Sequence, residues 1–196
     1  MYDPQQHHRH SIRLQGYDYA QSCACFITIC TQNRRMMFGH IAGGKMALND
    51  AGNIVQDVWY QIQGHFPHVI TDEFVIMPNH IHGILMTGLG GMIDGAGGMI
   101  DGEGGMTPPL RSLNSIGDNE WCENRVPTIG QIVGYFKYVS TKKINEIRNS
   151  GIQKIWQRNY YEHIIRNESE LAKIHKYIQN NPLNWQTDKL HHNNPP

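Results

Sequence analysis

The stretch HVITDEFVIMPNHIHGILM, residues 68–86, holds two apolar runs separated by Pro78 and Asn79. Short runs rich in Val, Ile and Phe, broken by turn residues, read as strands. The stretch therefore predicts a strand with a turn or bulge, and then a second strand from His80 to Met86. Successive side chains alternate across a strand, so His80 and His82 fall on the same face. Two imidazoles so placed can converge on one ion. Two half-exposed sheet histidines give the same pattern, so the pair needs further residues before it means a metal.

Outward from this stretch, AQSCACFITICT (residues 20–31) is β-branched and aromatic and predicts a buried, central strand. Arg34 and Arg35 follow it, and then MMFGHI, AGGK and KMAL predict a second strand and a hairpin. Asn49 or Asp50 is placed to cap a helix whose Ile54, Val55, Val58, Trp59 and Ile62 recur at helical spacing, which predicts an amphipathic helix packed on the sheet. Between Gly88 and Asn124 the composition changes: GMIDGAG and GMIDGEG form a tandem repeat that runs on into GMTPP. Gly-rich repetition cannot bury a core, so residues 88–124 are expected to be a disordered insertion in a surface loop.

Pro127 and Thr128 open the next predicted helix, with Thr128 and Gln131 as a capping box. Its buried stripe is Ile129, Ile132, Val133, Phe136 and Val139, and Lys137, Lys142 and Lys143 lie off that stripe. IWQRNYYEHIIR (residues 155–166) predicts a strand or extended arm, in which alternation puts Tyr160 and Tyr161 on opposite faces. Asn167 caps a last helix, ESELAKIHKYIQN, with Leu171, Ile174 and Ile178 inward. Pro182 is expected to stop it by pushing Asn181 out of the helical region.

The chain has 196 residues and 39% hydrophobic composition. That length suits one domain over 1–196, and the low apolar content fits flexible tails at about 1–10 and 186–196 besides the insertion. Cys23, Cys25 and Cys30 lie in the first strand and read as reduced core thiols. No apolar run is long enough to span a membrane, and MYDPQQHHRHSIRLQ lacks the apolar core of a signal peptide. A cytoplasmic protein with no membrane partner is expected.

Net charge is zero, but it is unevenly spread: residues 125–166 carry eight Lys/Arg against two acids, and residues 50–123 carry ten acids against Arg111 alone. Such asymmetry points to a face that meets a polyanion. Arg34, Arg35, Lys137, Lys142, Lys143, Arg158 and Arg166 are the cations expected to track phosphates, which position DNA without reading its sequence.

Tyr177 and Asn181 are one helical turn apart, so their side chains share a face. An amide oxygen there can complete the coordination of an ion at His80 and His82, with the phenol aimed at whatever the ion binds. A free phenol, with a pKa of about 10, is ionised to roughly a thousandth at neutral pH, a deficit of about 4 kcal/mol that a divalent cation reduces. Mixed nitrogen and oxygen ligation suits Mn²⁺ or Mg²⁺, with Zn²⁺ able to compete.

His-hydrophobic-His after Met77-Pro78-Asn79, with a downstream Tyr-Ile-x-x-Asn-Pro, resembles the single-tyrosine transposases of the His-hydrophobic-His endonuclease superfamily. More narrowly, the chain resembles the REP-associated tyrosine transposases: SIRLQGYDY, FITICTQNRRMMFG, VIMPNHIHGILM, IVGYFKYVSTKKIN, IWQRNYYEHIIRNESEL and YIQNNP occur in the expected order. The resemblance implies an α+β fold with a ferredoxin-like antiparallel sheet and helices packed on one face. It implies that His80, His82 and Asn181 hold a divalent ion, Mg²⁺ or Mn²⁺, and that Tyr177 attacks single-stranded DNA, with hairpin structure, to give a 5′-phosphotyrosine link. No nucleotide cofactor is implied, and a nucleoid-associated location is. Insertion-sequence relatives carry Gln at the last ligand position. Asn181 before Pro182 therefore favours the REP-associated branch and leaves monomer and homodimer both open.

A different class of function fits the same fold: a non-catalytic single-stranded DNA or RNA binding module, which would need exposed aromatics on the sheet and no use for His80 and His82. A metallohydrolase using activated water is a third reading.

Overall fold

The computed structural model of the protein describes residues 23–88, 126–148, 151 and 153–191. The expected N-terminal tail, almost all of the Gly-rich insertion and the last residues, 192–196, lie outside the described residues.

The apolar runs form strands β1 (Cys23–Cys30), β4 (Val69–Met77), β5 (His80–Thr87) and β6 (Tyr161–Ile165). They make an antiparallel sheet in the order β4-β5-β1-β6, with β1 central. The predicted hairpin, β2 (Gly39–Ala42) and β3 (Lys45–Leu48), forms a separate two-stranded sheet among the described residues. Its turn residues Gly43 and Gly44 both have positive φ, 57° and 74°, as a tight two-residue hairpin turn requires. Of the extended arm predicted over 155–166, only its second half joins the sheet as β6. The first half is tied to the end of β1 through Gln32 N–H to Ile155 O (2.7 Å) and Gln157 N–H to Cys30 O (2.9 Å).

Helix α1 (Asp50–His65) starts at Asn49, whose side chain accepts the Gly52 N–H, and buries Val55, Val58, Trp59 and Ile62. Helix α2 (Ile129–Arg148) starts with the expected capping box: Thr128 N–H donates to Gln131 Oε1 (2.8 Å), and Gln131 N–H to Thr128 Oγ1 (3.3 Å). Helix α3 (Glu168–Asn180) is capped by Asn167.

Strand alternation divides the interior. Cys25, Ile27, Ile29, Ile81 and Leu85 face the core shared with α1 and α2, whereas Phe26, Ile84 and Ile165 face Ile178, Leu171 and Ile174 of α3. The elements β1, α1, β4, β5, α2 and β6 thus follow the β-α-β-β-α-β ferredoxin-like plan, with both helices on one face. The third helix is additional and lies across the opposite face. Gly83 permits the close packing behind the histidines, since a Cβ there would stand 2.3 Å from Cη2 of Trp59.

Helix α3 buries only one residue fully, Ile178, so little apolar area holds it. Two pairs supplement it: His175 with Asp72 of β4 at 2.6 Å, and His163 of β6 with Glu170 at 2.7 Å. As β4 and β6 are the two edge strands, α3 is tied at both margins of the sheet.

Two expectations are corrected here. Asn181 keeps helical dihedrals, φ −58° and ψ −44°, so Pro182 does not swing it out. Pro182 simply has no N–H to continue the ladder, and the Asn181 side chain stays one turn beyond Tyr177. The flexible tail expected from residue 186 is also not found over 186–191, which continue from a 3-10 turn (Trp185–Thr187) and fold back against the histidines.

Candidate metal and nucleophile site

The site is assembled on the α3 face of the sheet from β5, β1, α3 and the segment after α3. His80 and His82 are both buried, and their Nε2 atoms lie 3.1 Å apart. The neighbour of the other ring nitrogen fixes the tautomer of His80. Asn79 gives both amide hydrogens to backbone carbonyls, of Leu190 at 2.8 Å and Arg34 at 3.3 Å. Its Oδ1 is therefore the atom 2.7 Å from His80 Nδ1. An amide oxygen only accepts, so His80 Nδ1 carries the proton and Nε2 a lone pair. His82 Nδ1 lies 2.8 Å from Thr28 Oγ1, whose hydroxyl can accept in the same way. With Thr28 as the acceptor, two Nε2 lone pairs face each other, an arrangement that a cation between them relieves. Holding the distal nitrogen by hydrogen bond is how proteins orient histidine ligands.

Burial, above all, keeps both rings uncharged. It pushes the His82 pKa down to about 3 and, with His82 and Arg34 adding to it, the His80 pKa well below its usual value. Neutral imidazole is the form that binds metal.

Tyr177 extends from α3 so that its hydroxyl lies 3.2 Å from His82 Nε2, while 48% of the residue stays exposed. Desolvation first, and then the Asp188 carboxylate, raises its pKa, against a lowering by the Asn181 side chain. Asn181 is buried, and its Oδ1 has no hydrogen-bond partner among the described residues. A buried carbonyl left unpaired costs about 1–3 kcal/mol, which ligation to a cation would recover.

Asp188 was not singled out in the sequence. It stands 3.8 Å from His80 Nε2, and His80, His82 and Asp188 form a group whose ligand atoms all lie within 4.8 Å of one another. It lies in a segment read as tail, and no periodicity marks it. Its approach depends on the fold-back that Asn79 secures at Leu190. The donor set, two neutral imidazoles, an orphaned amide oxygen and a carboxylate, fits a divalent cation.

The site opens into a cavity of about 850 Å³ lined by Phe26, Tyr160, Tyr161, Gln157, Asn159 and Lys189, among others. Both Tyr160 and Tyr161 border it, despite their expected opposite faces. Tyr160 donates to Glu162 at 2.9 Å, and Trp156 is a core residue bonded to Ser140 at 2.9 Å. Of the expected phosphate-tracking cations, none lines this cavity. Arg34 is close enough to lower the His80 pKa. Arg35 and Arg166 are exposed, and Lys143 donates to Gln61 at 3.1 Å. Lys142 and Arg158 border a second groove. Lys137 donates to the carbonyls of Gln157 (3.0 Å), Arg158 (3.3 Å) and Asn159 (3.0 Å), which ties the cavity's rim to α2.

The chain is 43% identical over 189 residues to an uncharacterized protein of Haemophilus influenzae, a match that covers 94% of each chain. The chain belongs to that protein's family. No family model matches it. Among solved structures, it is similar to the REP-associated tyrosine transposase bound to a REP hairpin, with a TM-score of 0.53, 18% identity, and coverage of 90% of this chain and 76% of that one. The family thus shares a fold with a transposase.

Proposed function

We propose that the protein is a metal-dependent transposase of the REP-associated type, which cleaves and rejoins single-stranded DNA, at hairpin-associated sequences, through Tyr177. One observation carries it: the His82 Nε2 atom lies 3.1 Å from His80 Nε2 and 3.2 Å from the Tyr177 hydroxyl, so nucleophile and ligand nitrogens share one spot. The orphaned Asn181 oxygen and the fold likeness support it.

His80, His82, Asn181 and Asp188 would hold the ion, Mg²⁺ or Mn²⁺. Such a cation supplies charge neutralisation at the non-bridging oxygens of a phosphodiester and favours the ionised phenol. Thr28 and Asn79 keep the imidazoles turned toward it, and the half-exposed Tyr177 presents its oxygen to the strand. That oxygen bonds to phosphorus as the bond from phosphorus to the 3′ oxygen breaks. The proton that the phenol loses is matched by the one the 3′ oxygen gains. The products are a 5′-phosphotyrosine link and a free 3′-OH, and one phosphoester replaces another, so the step can reverse and rejoin strands.

Tyr160 and Tyr161 offer faces on which unpaired bases stack. Arg34, Arg35, Lys143 and Arg166 add charge for the DNA backbone. Tyr177 reaches His82 within its own chain, which supports action by a monomer. A non-catalytic binding module is disfavoured because it has no use for two buried imidazoles whose Nε2 atoms lie 3.1 Å apart beside an orphaned Asn181 oxygen. In a bacterial cell, the nucleoid is the expected place of work.

The test is incubation of the protein with labelled single-stranded DNA from the flanks of its own gene, with Mn²⁺ or Mg²⁺, followed by denaturing electrophoresis. A shifted, protease-sensitive band is expected from the wild type and none from Tyr177→Phe. Cleavage that persists in Tyr177→Phe, with no protein-linked product, would mean activated water and not the phenol.

A further inference from the structure

A second groove, of about 880 Å³, runs between α2 and the segment that leads into β6, and no part of the chemistry above uses it. It is lined by Lys142, Lys154 and Arg158, with Glu146 as the opposing charge, and by Tyr138. Lys137 also borders it, but spends its donors on three carbonyls of the rim. Among the described residues, no hydrogen bond or ion pair occupies the side chains of Lys142, Lys154 or Arg158. Tyr138 is 69% exposed, although α2 buries its apolar stripe elsewhere. An exposed aromatic among uncommitted cations is the composition of surfaces that hold unpaired nucleotides, with the cations on phosphates and the ring under a base.

Position connects this groove with the site. Gln157 lines both cavities, and the rim at 157–159 that separates them is braced from beneath by Lys137. A strand whose scissile phosphate lies at Tyr177 can cross that rim and continue into the groove.

We propose that the α2 groove is a second binding site for the same DNA strand, in which Lys142, Lys154 and Arg158 hold phosphates and Tyr138 stacks a base. It rests on the reading that the first cavity takes single-stranded DNA. A single strand is favoured over a duplex because Tyr138 has nothing to stack on where every base is paired.

The test measures binding of labelled strands of about 4 and about 16 nucleotides, the range over which single-strand sites extend, in EDTA at several salt concentrations. The full-length protein is compared with the Lys142→Gln/Lys154→Gln/Arg158→Gln variant, and with Lys45→Gln as a charge control remote from the groove. The triple variant is expected to bind the long strand on the order of tenfold more weakly, with a salt slope lower by about 2 for three lost phosphate contacts. The short strand should bind both proteins alike, Tyr138→Ala should weaken only the long strand, and Lys45→Gln should change neither. Equal loss at both lengths, or no loss at either, overturns the proposal. So does a loss as large for a blunt duplex of the long length, which would make the groove a duplex site. Because binding is read without metal or cleavage, failure of the covalent reaction leaves this result separately interpretable.

Discussion

The hydroxyl of Tyr177 and the Nε2 atom of His82, 95 positions apart in sequence, lie 3.2 Å apart. Their rings meet edge to face at 5.2 Å, with Phe26 packed against both. A ligand nitrogen and a nucleophile are thus held together by one small apolar cluster on the α3 face of the sheet.

The neutral state of the two histidines has a consequence for stability. In the unfolded chain a histidine takes up a proton near pH 6.5, whereas burial holds His82 unprotonated down to about pH 3 and depresses His80 as well. Between those limits the unfolded state binds more protons, so stability falls as pH falls, by up to about 1.4 kcal/mol per pH unit for each histidine. Above pH 6.5 both states are neutral there and the contribution is flat. Thermal melts of the metal-free protein at pH 7.5, 6 and 5 should show a steeper loss than those of His80→Gln/His82→Gln, and equal slopes would contradict it.

Asn181 distinguishes ligation from capping. Its orphaned oxygen makes no hydrogen bond among the described residues without a cation, so Asn181→Ala should leave the metal-free protein no less stable, because it removes an unpaired group that costs about 1–3 kcal/mol. It should weaken Mn²⁺ binding on the order of tenfold, about 1.4 kcal/mol. Calorimetric titration and melts with and without Mn²⁺ separate the two. A purely structural Asn181 would give the reverse, with lost stability and unchanged Mn²⁺ affinity.

The Thr28 hydroxyl lies 2.8 Å from Nδ1, the distal nitrogen of His82. Thr28→Val keeps the shape and removes the hydrogen-bond partner of that nitrogen, and such outer partners are worth about 10–100-fold in metal affinity. Mn²⁺ affinity and the rate of covalent product formation should fall together, with the circular dichroism spectrum unchanged. Unaltered affinity would show that the Thr28 contact is incidental.

The margins of α3 can be loosened without touching the site. Asp72→Asn removes the carboxylate 2.6 Å from His175. A half-exposed pair is worth about 1 kcal/mol or less, so global stability should barely change. Amide hydrogen exchange along α3 should nevertheless quicken, because little apolar area retains the helix. Uniform exchange between variant and wild type would mean that the Ile178 cluster and the His163–Glu170 pair hold the helix without Asp72.

Much of the fold was legible because local chemistry and global structure agree. Apolar runs rich in β-branched and aromatic residues became β1, β4 and β5, Asn49 and Asn167 capped the helices that follow them, and Thr128 with Gln131 closed the predicted box. His80 and His82 were readable from strand alternation, and Tyr177 with Asn181 from helical spacing. Asp188 was not, since its place is set by a fold-back fixed through Asn79 and Leu190, a contact spanning 111 positions. The role of Lys137 was hidden for a similar reason: a lysine beside an apolar stripe looks solvated, and only tertiary structure brings three carbonyls to it.

The central claim is most directly tested by mapping the residue that carries DNA after reaction with a single-stranded substrate and Mn²⁺. Protease digestion and mass spectrometry should find one modified peptide, with the nucleotide on Tyr177 through its 5′ phosphate. DNA attached to Tyr160, Tyr161 or any other residue, or strand cleavage that leaves the protein unmodified, would contradict it.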